Sequence, residues 1–217
     1  MTDATTRITL IRHGHVHNPN DIVYGRLPGF GLSNVGRNQA EAVARHLSGA
    51  ELAALYCSPQ QRAEETAKIL LHYHPELEIV TACAIDEIDN YFEGHPTSDV
   101  AARGWDLYTG VSDGYEMPED VGSRAGKFLL RAREAHAAQH VAAVTHGDVI
   151  AFGVLWAMQR PLHVSLRRTL DRFGITDRYP ATASLTTLIY RSDDPQEIPE
   201  IVYERPYGEE RTVATLP

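Results

Sequence analysis

The sequence predicts a three-layer α/β fold, with a mainly parallel central sheet and helices on both faces. Three observations predict it. Short runs rich in β-branched residues alternate with stretches whose apolar residues recur at helical spacing. Residues that cap, stop or turn the backbone bound nearly every run. Of 217 residues, 43% are hydrophobic and 23% charged, enough apolar material for a sizeable core and too much for a disordered chain or a disulfide mini-protein.

The first element is a strand over 8–11, Ile8-Thr9-Leu10-Ile11, which has ended by Gly14. A loop containing Pro19, Gly25, Pro28, Gly29 and Gly31 follows to Leu32. Ser33 caps a helix whose stripe is Val35, Ala40, Val43, Ala44 and Leu47, stopped at Ser48-Gly49. A buried strand follows over 52–57. Pro59 stands near the start of the next helix, where a missing N–H costs least, and Ala63, Thr66, Ala67, Leu70 and Leu71 form its stripe. A third strand is expected over 77–81. The segment 87–118 is irregular and rich in aromatics. Val121, Ala125, Phe128, Leu129 and Ala132 mark the inner face of a long helix over 119–139. Then come a strand over 141–145, a helix over about 148–158, and strands over 185–190 and 198–203. No repeat, low-complexity tract or Ser/Gly linker divides the chain, so 1–217 reads as one domain with its core at about 7–190.

Charge narrows the function classes. Lys and Arg number 20 against 29 Asp and Glu, a net charge of −9 with no basic run, which argues against nucleic acid and anionic membrane surfaces as partners. The start Met1–Thr6 is not a signal peptide, and no apolar run approaches the ~20 residues that cross a bilayer. Cys57 and Cys83 form no C-x-x-C pair and read as reduced thiols. A cytoplasmic protein is expected, with a second copy of itself, as a homodimer, the one protein partner left open.

In a parallel sheet, ligands bind beyond the carboxyl ends of the strands. Three strand ends there carry Arg12-His13-Gly14, Ser58-Pro59-Gln60-Gln61-Arg62 and His146-Gly147-Asp148, the last two leading into helices. Two arginines, two histidines and helix N-termini would thus converge, an anion pocket inside an acidic protein. Guanidinium forks suit phosphoryl oxygens, so phosphate is the expected ligand.

These residues also carry a resemblance. Leu10-Ile11-Arg12-His13-Gly14 resembles the R-H-G signature of the histidine phosphatase superfamily, the phosphoglycerate-mutase-like proteins. Leu32-Ser33 through Gly36 and Gln39-Ala40 is similar to the family's L-[ST]-x-x-G-x-x-Q-A segment, and Ser58-Pro59, Arg62-Ala63 and Thr66-Ala67 to its S-P-x-x-R-A-x-x-T-A segment. Glu87 with Glu93-Gly94 resembles the acid region, and Thr145-His146-Gly147 the second H-G motif. The match runs in order from about Arg7 to Tyr190. It departs after Gly14, where His15-Val16-His17-Asn18 replaces the common E-T continuation, and at Asn90, where Gly is usual.

The resemblance implies a phosphoglycerate-mutase-like fold and a metal-independent phosphomonoesterase with no cofactor, acting on a small-molecule phosphomonoester. His13 would become phosphohistidine, with His146 as its catalytic companion. Arg12, Arg62, His146, Asn18 and Gly147 would hold the phosphoryl group, and Glu87 would protonate the leaving oxygen, with Asp86 and Asp89 as neighbouring alternatives. The chemistry agrees: a neutral imidazole is a nucleophile near pH 7, and an alkoxide leaves badly without a proton. Tyr24, Arg26 and Phe30 are candidate substrate contacts.

Other readings compete. His13 and His15 share a face of an extended chain and could hold a metal with His146 and Asp148, but barrel enzymes that use this pattern need about 250 residues. Gly122-Ser123-Arg124-Ala125-Gly126-Lys127 is one residue short of a phosphate loop and lies within a helix, and no G-x-S-x-G elbow accompanies Asp148 and His146. A binding module without turnover keeps the arginines, yet every catalytic residue type is retained. A mutase needs a basic closed lid. The expected lid at about 88–118 carries Tyr91, Phe92, Trp105, Tyr108 and Tyr115 but only Arg103, and no long insertion is present, so a phosphatase for an ester with an apolar part is favoured over a phosphomutase.

Overall fold

The structure is a computed structural model, and it describes residues 5–207. Six strands form one sheet: β1 Thr6–Arg12, β2 Leu52–Cys57, β3 Ile79–Thr81, β4 His140–Thr145, β5 Leu185–Tyr190 and β6 Glu200–Glu204, in the order β3-β2-β4-β1-β5-β6. β1, β2, β3 and β4 run parallel, and at one edge β5 pairs antiparallel with β1 and β6 antiparallel with β5. Helices α1 Asn34–Leu47, α2 Gln61–Leu71, α3 Thr97–Ala101, α4 Pro118–Ala135 and α5 Gly147–Ala157 complete the fold.

Alternation along β4 builds the three layers. Ala142 and Val144 face a core shared with Val43, Ala44, Ala63, Ala67 and Leu70 of α1 and α2. Val141 and Ala143 face the opposite core, with Val121, Ala125, Phe128 and Leu129 of α4 and Ile150 and Phe152 of α5. Gly126 lets α4 approach α5 closely, because a Cβ there would enter the Trp156 ring, and Gly122 meets Leu162 in the same way. The six-residue near-match to a phosphate loop is therefore helix packing, as its position inside a helix implied.

Several boundaries differ from expectation. α4 stops at Ala135, not residue 139, because His136 leaves helical geometry and Ala138 takes φ 59°. β3 is three residues long, since only 79–81 pair with β2. Pro59 precedes α2 without entering it. The irregular segment contains the short helix α3, whose five residues are too few for helical periodicity to register.

Candidate active site

β1, β2 and β4 end side by side, and the chain leaves each in a way that delivers one functional group. His13 follows β1, with its N–H bonded to Thr145 O. Its loop lies directly on the first turn of α1. Gly14 and Gly36 touch there, and a Cβ on Gly14 would meet the Gly36 carbonyl. Gln39 Oε1 accepts from His15 N (2.9 Å) and Thr66 Oγ1 from Gly14 N (3.2 Å). The motif residues of α1 and α2 are thus the props of the His13 loop. Though a loop residue, His13 is only 1% exposed.

Its ring has a defined tautomer. Nδ1 lies 2.8 Å from Gly14 O, and a carbonyl only accepts, so Nδ1 carries the proton and Nε2 the lone pair. Burial, then the charges of Arg62, His146 and Arg12, hold the His13 pKa well below the usual histidine range. The ring is a neutral base with its lone pair fixed.

Arg62, in the first turn of α2 and 1% exposed, lies at the centre. Nε donates to His13 Nε2 (3.2 Å), and Nη2 to Gly25 O (2.8 Å) and Glu87 Oε2 (3.1 Å), and it lies 3.3 Å from His146 Nδ1. Glu87 Oε2 is also 3.2 Å from His146 Nδ1. Burial pushes the Glu87 carboxyl up, but the His146 ring and Arg62 outweigh it and hold the pKa well below the carboxylate range. Burial also lowers His146, against the pull of Glu87. Glu87 is the anion of this pair, because Arg62 keeps its charge whichever form His146 takes.

A relay behind His146 fixes its other nitrogen. Ser58 Oγ donates to Asp86 Oδ1 (3.1 Å), so it accepts from His146 Nε2–H at 2.7 Å. Asp86 also accepts from Gln60 Nε2 and Glu87 N. The turn carrying Asp86 and Glu87 is clamped by Arg124 of α4, which donates to Ala84 O, Asp86 O and Glu87 O, and by Thr145 Oγ1 on Ile85 O. The sequence offered no signal for Arg124 beyond a buried-face position on α4.

A cavity of about 340 Å³ opens beside this cluster, lined among others by Arg12, Tyr24, Glu87, Gly147, Trp105 and Tyr179. Arg12 Nη1 donates to Pro180 O, while its buried Nε has no partner among the described residues. The Tyr24 ring lies 4.7 Å from the Arg62 guanidinium carbon and stacks on Phe30. Gly147 begins α5 and lines the cavity, and a Cβ there would strike the Tyr179 hydroxyl, so glycine lets Tyr179 pack against this helix end.

Other candidates lie apart. Asn18 closes its amide on Ile22 N and O, shaping the 18–22 turn. Arg26 donates to Glu87 O and Glu116 and faces Asp86 and Asp89, so it braces the acid turn. Asp89 is half exposed. His15 turns to Ser33 Oγ. The metal-ligand arrangement among the described residues is instead His13, Glu87 and His146, within 4.8 Å of one another. Arg62 bonds all three, so a metal there would face a permanent cation among its own ligands.

The segment between α5 and β5 contributes residues that the sequence reading missed. Asp148 is 4% exposed, accepts from Arg167 Nη1 on both oxygens (2.7 and 2.6 Å), and takes the hydroxyls of Tyr108 and Tyr179 at 2.7 Å each. Arg167 also donates to Trp105 O. Arg167 and Arg168 line the cavity wall, which corrects the expectation of a weakly basic, apolar cover. Of the expected lid aromatics, Trp105 lines the cavity, while Tyr91 and Tyr115 pack edge to face on each other.

Comparison with known proteins gives the same neighbourhood. The family model of the Histidine phosphatase superfamily (branch 1) matches residues 8–196. The chain is 35% identical over 208 residues to the Mycobacterium tuberculosis H37Rv protein Rv0525, covering 93% of this chain and 96% of that one. Its fold is similar to that of mycobacterial glucosyl-3-phosphoglycerate phosphatase Rv2419c (TM-score 0.72, 21% identity, 93% of this chain and 98% of that one). It is also similar to phosphoserine phosphatase from Entamoeba histolytica in complex with 3-phosphoglyceric acid (TM-score 0.68, 21% identity, 90% and 94%).

Proposed function

The chain belongs to the histidine phosphatase superfamily, and from that premise we propose that it is a metal-independent phosphomonoesterase working through a phosphohistidine on His13. One observation carries this reading. The Gly14 carbonyl fixes the proton of a neutral, buried His13 on Nδ1, and so aims the Nε2 lone pair at the Arg62 guanidinium, where an anion would be held.

Arg12, Arg62, His146 and the N–H of Gly147 hold the phosphoryl oxygens. His13 Nε2 attacks phosphorus in line, the ester P–O bond breaks, and its electron pair leaves with the alcohol oxygen, which takes a proton from Glu87. Glu87 starts as an anion, so the proton arrives with the substrate. A phosphoryl group on Arg62 and His146 competes for the charges that keep Glu87 ionised, and its own charge raises the carboxyl pKa. In the second half Glu87 takes a proton from water, the oxygen attacks phosphorus, and the N–P bond breaks to restore His13. The relay of Asp86 and Ser58 occupies the His146 Nε2–H, so His146 reaches a phosphoryl oxygen through Nδ1, which donates once the ring takes a second proton. Asn18 and Arg26 shape the loops that carry this site.

The other proteins in the comparison, named as phosphatases for glucosyl-3-phosphoglycerate and phosphoserine, support hydrolysis of a small phosphorylated molecule. Among the described residues no helix is long and apolar enough to cross a membrane, and both thiols are unpaired, Cys83 at the surface, which favours a reducing compartment such as the cytoplasm. Phosphate release from nitrophenyl phosphate, measured with a chelator present, tests the proposal. Turnover that survives chelation and is inhibited by vanadate is the expected result. Turnover lost on chelation and restored by Zn²⁺ or Mn²⁺ refutes it.

A further inference from the structure

Arg168 stands at the mouth of the cavity without an anion of its own. Among the described residues its guanidinium makes no hydrogen bond or ion pair, and it lies over two rings, 5.0 Å from the Tyr179 centroid and 5.9 Å from that of Trp105. Stacking engages the faces of the guanidinium and leaves its N–H edge for a planar partner. The nearby acid cannot serve. Both Asp148 oxygens are taken by Arg167, Tyr108 and Tyr179. Glu87, the other carboxylate in the lining, is answered by Arg62.

Two cations with free donors therefore share this wall. The Arg12 guanidinium carbon is 5.4 Å from the same Tyr179 ring, so the two guanidiniums lie no more than about 10 Å apart across it. Trp105 holds its side of the mouth in a left-handed conformation, φ 64°, uncommon for a bulky residue, with its carbonyl bonded to Arg167. Burial, with the charges of Arg167 and Arg12, works against the Arg168 cation, and an incoming anion relieves that.

We propose that Arg168 is a second anion subsite, and that the substrate is a phosphomonoester carrying a carboxylate within about 10 Å of its phosphoryl group, which binds across Tyr179 with the phosphoryl group toward Arg12 and the carboxylate on Arg168. One free guanidinium edge matches one carboxylate in charge and in planar geometry. The remainder of the molecule lies against Ile22, Val23, Val100 and Leu107. This inference rests on the phosphatase reading for its first anion subsite, at Arg12, and names the substrate class.

The test uses binding without turnover. 3-Phosphonopropanoate and its terminal amide carry the same phosphonate, which has no ester bond to cleave, and differ only in the carboxylate. Titration calorimetry on the wild-type protein should show the carboxylate binding about ten-fold or more tightly than the amide, the scale of a hydrogen bond to a charged group. In Arg168→Ala and Arg168→Gln that ratio should fall toward one. Equal affinities for the wild type, or a preference that survives both substitutions, would overturn the subsite. If the preference holds but no phosphate ester is hydrolysed, the subsite stands and the phosphatase reading fails.

Discussion

Glu87→Gln separates the role of the acid from its packing. Oε1 accepts from Ile88 N at 2.9 Å, and Oε2 from Arg62 at 3.1 Å with His146 at 3.2 Å. A glutamine fills the same volume but has one acceptor oxygen, so one of these partners is lost, at about 1–1.5 kcal/mol or roughly ten-fold in rate for any substrate. The proton is lost as well. Nitrophenolate leaves without one and an alkoxide does not, so alkyl phosphates should suffer a further factor of about 10²–10⁴, or roughly 3–5 kcal/mol. The assay is kcat/KM, or the single-turnover rate of alcohol release, for nitrophenyl phosphate against an alkyl phosphate, because kcat also contains breakdown of the phosphohistidine. Asp86→Asn keeps an oxygen for Ser58, Gln60 and Glu87 N and should affect both substrates equally, and half-exposed Asp89 should matter little. Equal losses for Glu87→Gln on both substrates, or leaving-group selectivity at Asp86→Asn, would refute the assignment.

Arg62→Ala should lower kcat/KM by about 2–4 kcal/mol in transition-state terms, the scale of removing one oxyanion donor, measured on nitrophenyl phosphate. The pH profile of that reaction should show no acid limb near 6.5, where a free imidazole titrates, because the His13 pKa is lowered by burial and by Arg62. The limb belongs at more acidic pH, and in Arg62→Ala it should move up toward 6.5. For alkyl phosphates kcat/KM should fall as pH rises above about 6, the second ionisation of the phosphate monoester, since Glu87 is already ionised and the substrate loses the proton that the leaving group needs. Gly126→Ala gains up to about 1 kcal/mol of helix propensity but drives a methyl into the Trp156 ring, at a cost of about 1–3 kcal/mol, so urea unfolding should show a net loss of stability.

The sequence made legible whatever is local or repeated. Ser33 caps α1 as read, with Oγ accepting from Gly36 N at 3.0 Å, and the strand-end groups His13, Arg62 and His146 meet because parallel strands bring their carboxyl ends together. The motif spacings also carried Gln39 and Thr66, whose role as props of the His13 loop emerges only in three dimensions. The wall formed by Arg167, Arg168 and Tyr179 was not legible. Its residues follow no period, and they acquire meaning only by meeting Asp148, 19 and 31 residues back along the chain, and Trp105 from another segment. Arg124 was hidden for a related reason: its helix was readable, its contact with the acid turn 37 to 40 residues away was not.

The central claim is the covalent intermediate on His13, and trapping it is the most direct measurement. Brief mixing with a ³²P-labelled phosphomonoester, followed by quenching in base, should leave a label that survives alkali, is released by mild acid, and maps by peptide mass spectrometry to His13. In His13→Ala, label and turnover should both vanish. Label on a serine or cysteine, or full turnover in His13→Ala, would contradict the account.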